Sequence, residues 1–113
     1  MQKINLKWKL AQKLEYKWWV QYLRKKNPAE YLANKIKYWE KVLATIGDVV
    51  TIEPTSVILD AGCGPAGIFL AFPNHQVDAI DPLLDKYTQL SIFKPEKFPW
   101  TRFRTMPIEA LSE

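Results

Sequence analysis

Apolar and polar positions divide the chain into a helical first part and a second part built of short apolar runs. Over residues 28–46 the apolar positions recur at steps of four, three, four and three, which is the spacing of one helix face. They are Leu32, Ile36, Trp39, Leu43 and Ile46. Asn27 suits the N-cap of this helix, and Pro28 and Glu30 suit its first turn, with Glu30 at the third position of a capping box. Gly47 suits its end, so we predict one helix with a single apolar face.

An earlier helix is predicted from Leu6 to Lys26, with Asn5 as its cap. Four apolar residues follow one another along it at a spacing of four: Leu6, Leu10, Leu14 and Trp18. Other aromatic and apolar residues occupy its remaining sides, and lysines fill the positions between. We therefore expect this helix either to sit between several partners or to leave aromatic surface exposed.

The rest of the chain alternates between strand and helix patterns. Three short runs predict strands: Val57 to Asp60, Val77 to Ile80 and Thr101 to Thr105. The first is apolar without alternation, which is typical of a buried parallel strand. Short helices are predicted between the strands, over Gly67 to Phe72 and Leu83 to Leu90. This order predicts an α/β protein with a parallel sheet, preceded by two amphipathic helices.

Length and charge support the same division. The 113 residues suffice for one domain at most, with residues 1–47 as a helical amino-terminal cap and residues 48–113 as the sheet-containing core. Residues 1–46 hold eleven Lys or Arg and three Glu, a formal balance of +8. Residues 47–113 hold five Lys or Arg and nine Asp or Glu, a balance of −4. We expect the two parts to do different jobs.

The single cysteine, Cys63, excludes a disulfide within the chain and fits a reduced, cytoplasmic setting. Cys63 itself is expected to be a small buried residue rather than a nucleophile. The amino terminus has no continuous apolar run, so neither a signal peptide nor a membrane span is expected.

A glycine-rich turn follows the first predicted strand. Gly62, Gly64 and Gly67 have the spacing of a dinucleotide fingerprint, and the next strand ends in Asp81, about 20 residues beyond the first strand. An acid at that position commonly holds a ribose, so the sequence predicts a ligand that contains one. The alternative is a structural corner between strand and helix.

Two features of the turn disfavour a pyrophosphate. Asp60 stands directly before it, and a carboxylate there would repel a doubly charged group. Pro65 has no backbone N–H, the group from which phosphate cradles are built. A ligand that carries positive charge and no phosphate reverses the first problem, and S-adenosylmethionine is such a ligand.

The stretch VILDAGCGPAG, from Val57 to Gly67, together with Asp81, resembles the first two motifs of the class I S-adenosylmethionine-dependent methyltransferases. The resemblance extends over residues 57–113 and implies a Rossmann-like sheet of which this chain holds the first three strands. It implies a cofactor site made of Asp60, Ala61, Gly62, Cys63, Gly64, Asp81 and Pro82. In that site Asp60 orients the methionine end and Asp81 holds the ribose hydroxyls.

The segment after the third strand resembles the family's adenine-binding loop. Pro107 stands where many relatives have Asp, so the adenine contact is expected from Ile108 or Glu109. No metal ligand set and no general base can be named. The catalytic residues and the methyl acceptor, a small molecule or a macromolecule, are therefore left unassigned.

Alternative functions stay open. An NAD-binding oxidoreductase domain is one, and a non-catalytic module that binds the cofactor or a protein partner is another. The family's sheet normally has more strands, and its first strand lies near the middle. If the chain ends at Glu113, the first strand becomes an apolar edge, so we expect a fragment, a truncated form or a chain completed by a partner, including a homo-oligomer.

The basic amino-terminal helices have three interpretations. They are a cap on the sheet, a lid over the substrate pocket that is compatible with such a cap, or a surface for an anionic partner. RNA or a lipid surface would be that partner, bound through Lys3 to Lys26 with Trp8, Trp18 and Trp19.

Overall fold

The computed structural model describes residues 6–112 and has the predicted α/β architecture. Two helices, α1 (Leu6–Leu23) and α2 (Pro28–Ile46), precede all the strands. A parallel sheet follows, made of β1 (Val57–Ala61), β2 (Gln76–Ile80) and β3 (Thr101–Arg104) in that spatial order. A short helix, α3 (Leu84–Tyr87), lies between β2 and β3. The carboxyl ends of the strands therefore meet at one edge of the sheet, with β2 in its centre.

Helix α2 begins and ends where its sequence predicts. The Asn27 side-chain oxygen accepts a hydrogen bond from the Glu30 backbone N–H at 3.0 Å, and Pro28 occupies the first turn. The helix ends before Gly47. Leu32, Ile36 and Leu43 of the predicted apolar face pack against the buried core. The Trp39 indole N–H donates to the Ala66 carbonyl oxygen at 3.0 Å, which ties α2 to the chain after β1.

Helix α1 turns a different face inward from the one that its leucine row suggests. Leu6, Leu10 and Leu14 are 83 %, 55 % and 57 % exposed. Buried Leu23 and the half-buried Tyr16 and Trp19 make the core contacts instead. Of the two expected outcomes for this helix, exposure of apolar surface is the one observed. The helix also ends at Leu23 rather than at Lys26, and its predicted cap, Asn5, lies outside the described residues.

The two predicted connecting helices are wrong in type or length. Residues 67–72 do not form an α-helix; two short 3-10 turns, Gly64–Ala66 and Ile68–Ala71, occupy this region, separated by Gly67 in an extended conformation. Helix α3 has only four residues, Leu84–Tyr87. Beyond Tyr87 the backbone continues in i to i+3 turns instead, with the Gln89 and Leu90 N–H groups donating to the Lys86 and Tyr87 carbonyl oxygens at 3.1 and 2.9 Å.

The core lies between one face of the sheet and the segments that cross it. Phe69 is fully buried, and the rings of Phe93, Phe98 and Phe103 surround it at centroid distances of 5.0–6.4 Å, near the edge-to-face arrangement. The Trp100 indole N–H donates to the Phe69 carbonyl oxygen at 2.8 Å. These contacts fix the backbone just beyond the glycine turn.

Strand β1 lies at the edge of the sheet and pairs only with β2 among the described residues. Val57 and Leu59, on its outer face, are 60 % and 54 % exposed. Strand β1 is thus a partly exposed edge strand rather than the buried strand that its continuous apolar run predicts. None of the helices within residues 6–112 is both long enough and apolar enough to span a membrane.

Candidate functional site

The glycine turn closes over the carboxyl end of β2. Gly62 and Gly64 have φ angles of 69° and 62°, in the left-handed region that favours glycine. The backbone N–H groups of Gly62 and Cys63 donate to the Ile80 carbonyl oxygen at 2.8 and 3.0 Å. The Gly64 N–H donates to Asp81 Oδ2 at 3.0 Å. These three N–H groups are therefore used within the protein.

Asp81 connects the turn to the end of β2. Its Oδ1 accepts from the Leu83 N–H at 2.9 Å, and its side chain is only 5 % exposed. Burial raises the pKa of this carboxyl, the two backbone hydrogen bonds oppose that effect, and the nearby Glu15 charge adds to it. Each carboxylate oxygen has two lone pairs. One hydrogen bond to each oxygen therefore leaves acceptor capacity for ligand hydroxyl groups.

Asp60 has a local structural role. Its Oδ2 accepts from the Phe69 N–H at 3.0 Å and so holds the second 3-10 turn. A Cβ at Gly67 would lie 2.5 Å from this oxygen, so only glycine permits the approach. Burial raises the pKa of Asp60 despite its backbone hydrogen bonds. Asp60 and the exposed Ala61 are the two predicted site residues that do not line the cavity described next.

A cavity of about 670 Å³ opens beside the turn. It is lined by all the other predicted residues: Gly62, Cys63, Gly64, Asp81, Pro82, Ile108 and Glu109. The Ile108 side chain reaches to within 3.4 Å of where a Cβ on Gly62 would stand, so the segment after β3 lies directly against the turn. The structure thus brings together residues from the ends of three strands. The volume of the cavity is within the range of small-molecule sites.

The opposite wall comes from the amino-terminal helices. Helix α1 contributes Trp8, Gln12, Glu15, Trp18 and Trp19, and α2 contributes Lys35 and Trp39. The amino-terminal helices were expected as a cap or a lid, but Gln12, Glu15, Lys35 and Trp39 were not among the predicted site residues. A signal was present: Trp8, Gln12, Glu15 and Trp19 recur at steps of four, three and four along α1. This polar and aromatic row faces away from the leucine row.

Charge in the cavity is mainly acidic. Asp81, Glu15 and Glu109 line it, and Glu15 Oε2 accepts from the Tyr87 hydroxyl at 2.8 Å. Burial is the main cause that raises the pKa of Tyr87, and this hydrogen bond raises it further. The one cation among the described lining residues is Lys35, whose ammonium lies 4.6 Å from the Tyr38 ring centroid and 5.2 Å from that of Trp39. Burial lowers the pKa of Lys35.

Cys63 lines the cavity but lacks the surroundings of a nucleophile. Its side chain is buried, and burial, reinforced by the Asp60 and Asp81 charges, raises the pKa of the thiol. A raised pKa disfavours the thiolate, which is the form in which cysteine acts as a nucleophile. Within residues 6–112, His, Cys, Asp and Glu form no group able to hold a metal ion.

Comparisons with protein-family models, with curated proteins and with solved structures gave no match to this chain.

Proposed function

We propose that the cavity binds S-adenosylmethionine and that the protein acts as an S-adenosylmethionine-dependent methyltransferase. The observation that carries the proposal is the lining of one cavity at the carboxyl ends of the parallel strands. That cavity joins the glycine turn, buried Asp81, and the Ile108–Glu109 segment. Ligands of open α/β sheets bind at this position.

The hydrogen bonds of the turn favour this ligand over NAD. A pyrophosphate needs free backbone donors, but the N–H groups of Gly62, Cys63 and Gly64 already donate within the protein, and Pro65 has none. The acids Asp81 and Glu15 would also repel a phosphate. A cationic nucleoside fits the same walls, because carboxylates and tryptophan faces both attract positive charge.

S-adenosylmethionine, when bound, supplies a methyl group on an electrophilic sulfonium. In the proposed site Asp81 accepts from the ribose hydroxyls, Ile108 and Glu109 contact the adenine, and Glu15 and the tryptophans of α1 face the cationic part. The role of the helices is to exclude water and to orient the acceptor, since methyl transfer depends mainly on alignment. No residue is assigned as a general base, and the acceptor is a small molecule or a macromolecule.

Binding can be tested by thermal unfolding with S-adenosylhomocysteine and, separately, with NAD. A ligand at 100 times its Kd stabilises a fold by about 2.7 kcal/mol, which raises Tm on the order of 10 °C for a domain of this size. We expect that shift with S-adenosylhomocysteine alone and its loss in Asp81→Asn. The matched control is Asp48→Asn, the same change at an exposed position outside the cavity. A shift with NAD alone would refute the proposal.

Recognition of the sulfonium charge can be tested by comparing two ligands that differ only at the sulfur atom. S-adenosylmethionine carries a sulfonium, whereas S-adenosylhomocysteine carries a neutral thioether. Glu15→Gln removes one negative charge from the cavity wall and keeps a side-chain oxygen that can accept from Tyr87. Calorimetry should show a larger loss of affinity for the sulfonium ligand than for the thioether. Equal losses would exclude Glu15 from cation recognition.

The exposed apolar edge of β1 favours a second candidate function, a cofactor-binding module that works with another chain. Methyl transfer to cell extract by the isolated protein would support the enzyme. Cofactor binding without transfer, restored by a co-purifying chain, would support the module. For either function we propose a reduced, cytoplasmic setting, because the single cysteine is buried as a thiol.

A further inference from the structure

The outer face of α1 is an unusual surface for a helix of a folded domain. Besides the leucines Leu6, Leu10 and Leu14, it exposes 53 % of Trp18. Four exposed lysines stand among these apolar residues: Lys7, Lys9, Lys13 and Lys17. We call this leucine and lysine surface the outer face of α1.

No negative charge interrupts this face. Within α1 the one acid is Glu15, and its carboxylate is directed to the Tyr87 hydroxyl and the cavity, on the other side of the helix. Every exposed charge on the outer face is therefore positive. A surface that combines exposed aliphatic side chains with lysines alone is complementary to a lipid bilayer that carries anionic headgroups.

We propose that the outer face of α1 docks on an anionic membrane surface, with the leucines entering the headgroup region and the lysines bound to lipid phosphates. Lysine stems are long and apolar, so they extend along the inserted leucines while the ammonium groups stay at the headgroup level. The docked helix lies parallel to the membrane plane. Trp18 also lines the cavity, whereas the docking leucines and lysines lie on the side of α1 away from it. The inference does not depend on the proposed cofactor.

Two other occupants fit the face less well. Single-stranded RNA is bound largely by aromatic platforms, but the exposed row is mostly leucine, and the Trp18 ring is already stacked on Tyr22 at 4.7 Å with a 10° interplanar angle. A second copy of the chain would bring together two faces whose charges are all lysines, and like charges repel across such a contact.

Vesicle co-sedimentation tests the proposal with the full chain. We expect binding to vesicles of phosphatidylcholine with about 30 % phosphatidylglycerol and at least tenfold weaker binding to phosphatidylcholine alone, since each lysine near an anionic surface contributes roughly fivefold. Higher salt should weaken binding. Equal binding to both vesicle types, or to neither, would overturn the proposal.

Two double variants test whether the leucines and the lysines of α1 make the contact with the vesicles. Leu10→Ser with Leu14→Ser, and Lys13→Gln with Lys17→Gln, should each reduce vesicle binding about tenfold or more. The matched controls lie outside α1: Val49→Ser with Val50→Ser for exposed apolar residues, and Lys37→Gln with Lys41→Gln for exposed lysines on α2. Both controls should bind as the wild type does. Controls that lose as much binding as the α1 variants would contradict the assignment.

Four parallel measurements separate the alternatives: thermal unfolding, RNA binding, oligomeric state and the S-adenosylhomocysteine shift. Thermal unfolding of each variant shows whether the fold is intact, and a variant is compared only at temperatures where it is folded. Tight binding to single-stranded RNA without vesicle binding, or a dimer that the leucine changes dissociate, would replace the membrane by RNA or by a second copy. The S-adenosylhomocysteine shift, measured on the same variants, should be unchanged, which keeps failure of this proposal distinct from failure of the cofactor proposal.

Discussion

Helices α1 and α2 are alike in length but differ in what they turn toward the rest of the protein. The apolar row of α2 packs on the core, and its Trp39 donates a hydrogen bond to the chain beside the glycine turn. The leucine row of α1 lies in solvent, and its inner face carries tryptophan, glutamine and glutamate toward a cavity. Helix α1 thus forms much of one wall of the cavity, whereas α2 mainly packs on the core.

The largest expected effect contrasts the two apolar rows. Ile36→Ala on α2 removes a half-buried side chain from the core and should lower the free energy of unfolding by about 2 kcal/mol, at the low end for such truncations because the site is partly exposed. Leu10→Ala on α1 should change it by less than about 0.5 kcal/mol. Urea unfolding measures both. Equal losses would mean that the outer face of α1 is covered in solution.

The cap of α2 should give the next largest effect. Asn27→Ala removes the side-chain oxygen that accepts from the Glu30 N–H and should cost about 1 kcal/mol of stability. Asn34→Ala makes the same change at an exposed position inside the helix, where alanine has the higher helix propensity, so no loss is expected. If both variants lost the same amount, the cap would contribute nothing.

The hydrogen bond between Glu15 of α1 and Tyr87 of α3 should stabilise the position of the cavity wall. Glu15→Ala and Tyr87→Phe each remove the hydrogen bond between the carboxylate and the buried hydroxyl, and each should cost about 1 kcal/mol. Because both changes remove one interaction, the double variant should lose less than the sum of the single losses. Strict additivity in chemical unfolding would show that the two groups do not interact.

The last effect is a change with pH on α2, and it appears only in alkaline solution. Burial, with a smaller contribution from Tyr22, raises the pKa of Tyr31 from 10.0 to about 12. A tyrosine with a raised folded-state pKa contributes stability that is complete below pH 10 and is lost as the pH rises toward 12. Tyr31→Phe should therefore lose less stability than the wild type over that interval in urea unfolding. If the wild type and Tyr31→Phe lost the same stability over this pH interval, the Tyr31 hydroxyl would be exposed to solvent.

The sequence predicts those parts of the fold that local chemistry determines. Asn27, Pro28 and the regular apolar row define α2, and apolar runs ending in Asp60 and Ile80 define β1 and β2. The positive φ angles of Gly62 and Gly64 agree with a turn that only glycine adopts easily. In each case the deciding residues lie within a few positions of one another.

The remainder depends on contacts that are distant in sequence. Nothing local shows that Leu10 faces solvent while Gln12 faces a cavity, because that choice depends on where Tyr87 and the glycine turn lie. The helix predicted over residues 67–72 is replaced by 3-10 turns, because Gly67 is extended and the Phe69 N–H donates to the Asp60 carboxylate. The inner row of α1 has helical spacing, but it mixes tryptophan with polar residues, so it does not form the apolar pattern that marks a buried helix face.

The central claim is that the cavity between α1 and the glycine turn binds S-adenosylmethionine, and tryptophan fluorescence tests it most directly. Four of the five tryptophans line the cavity, and Trp100 lies elsewhere. Titration with S-adenosylhomocysteine, excited at wavelengths where adenine does not absorb, should give a saturable change in emission that Asp81→Asn abolishes and Asp48→Asn retains. No change, or an equal change in Asp81→Asn, would contradict the account.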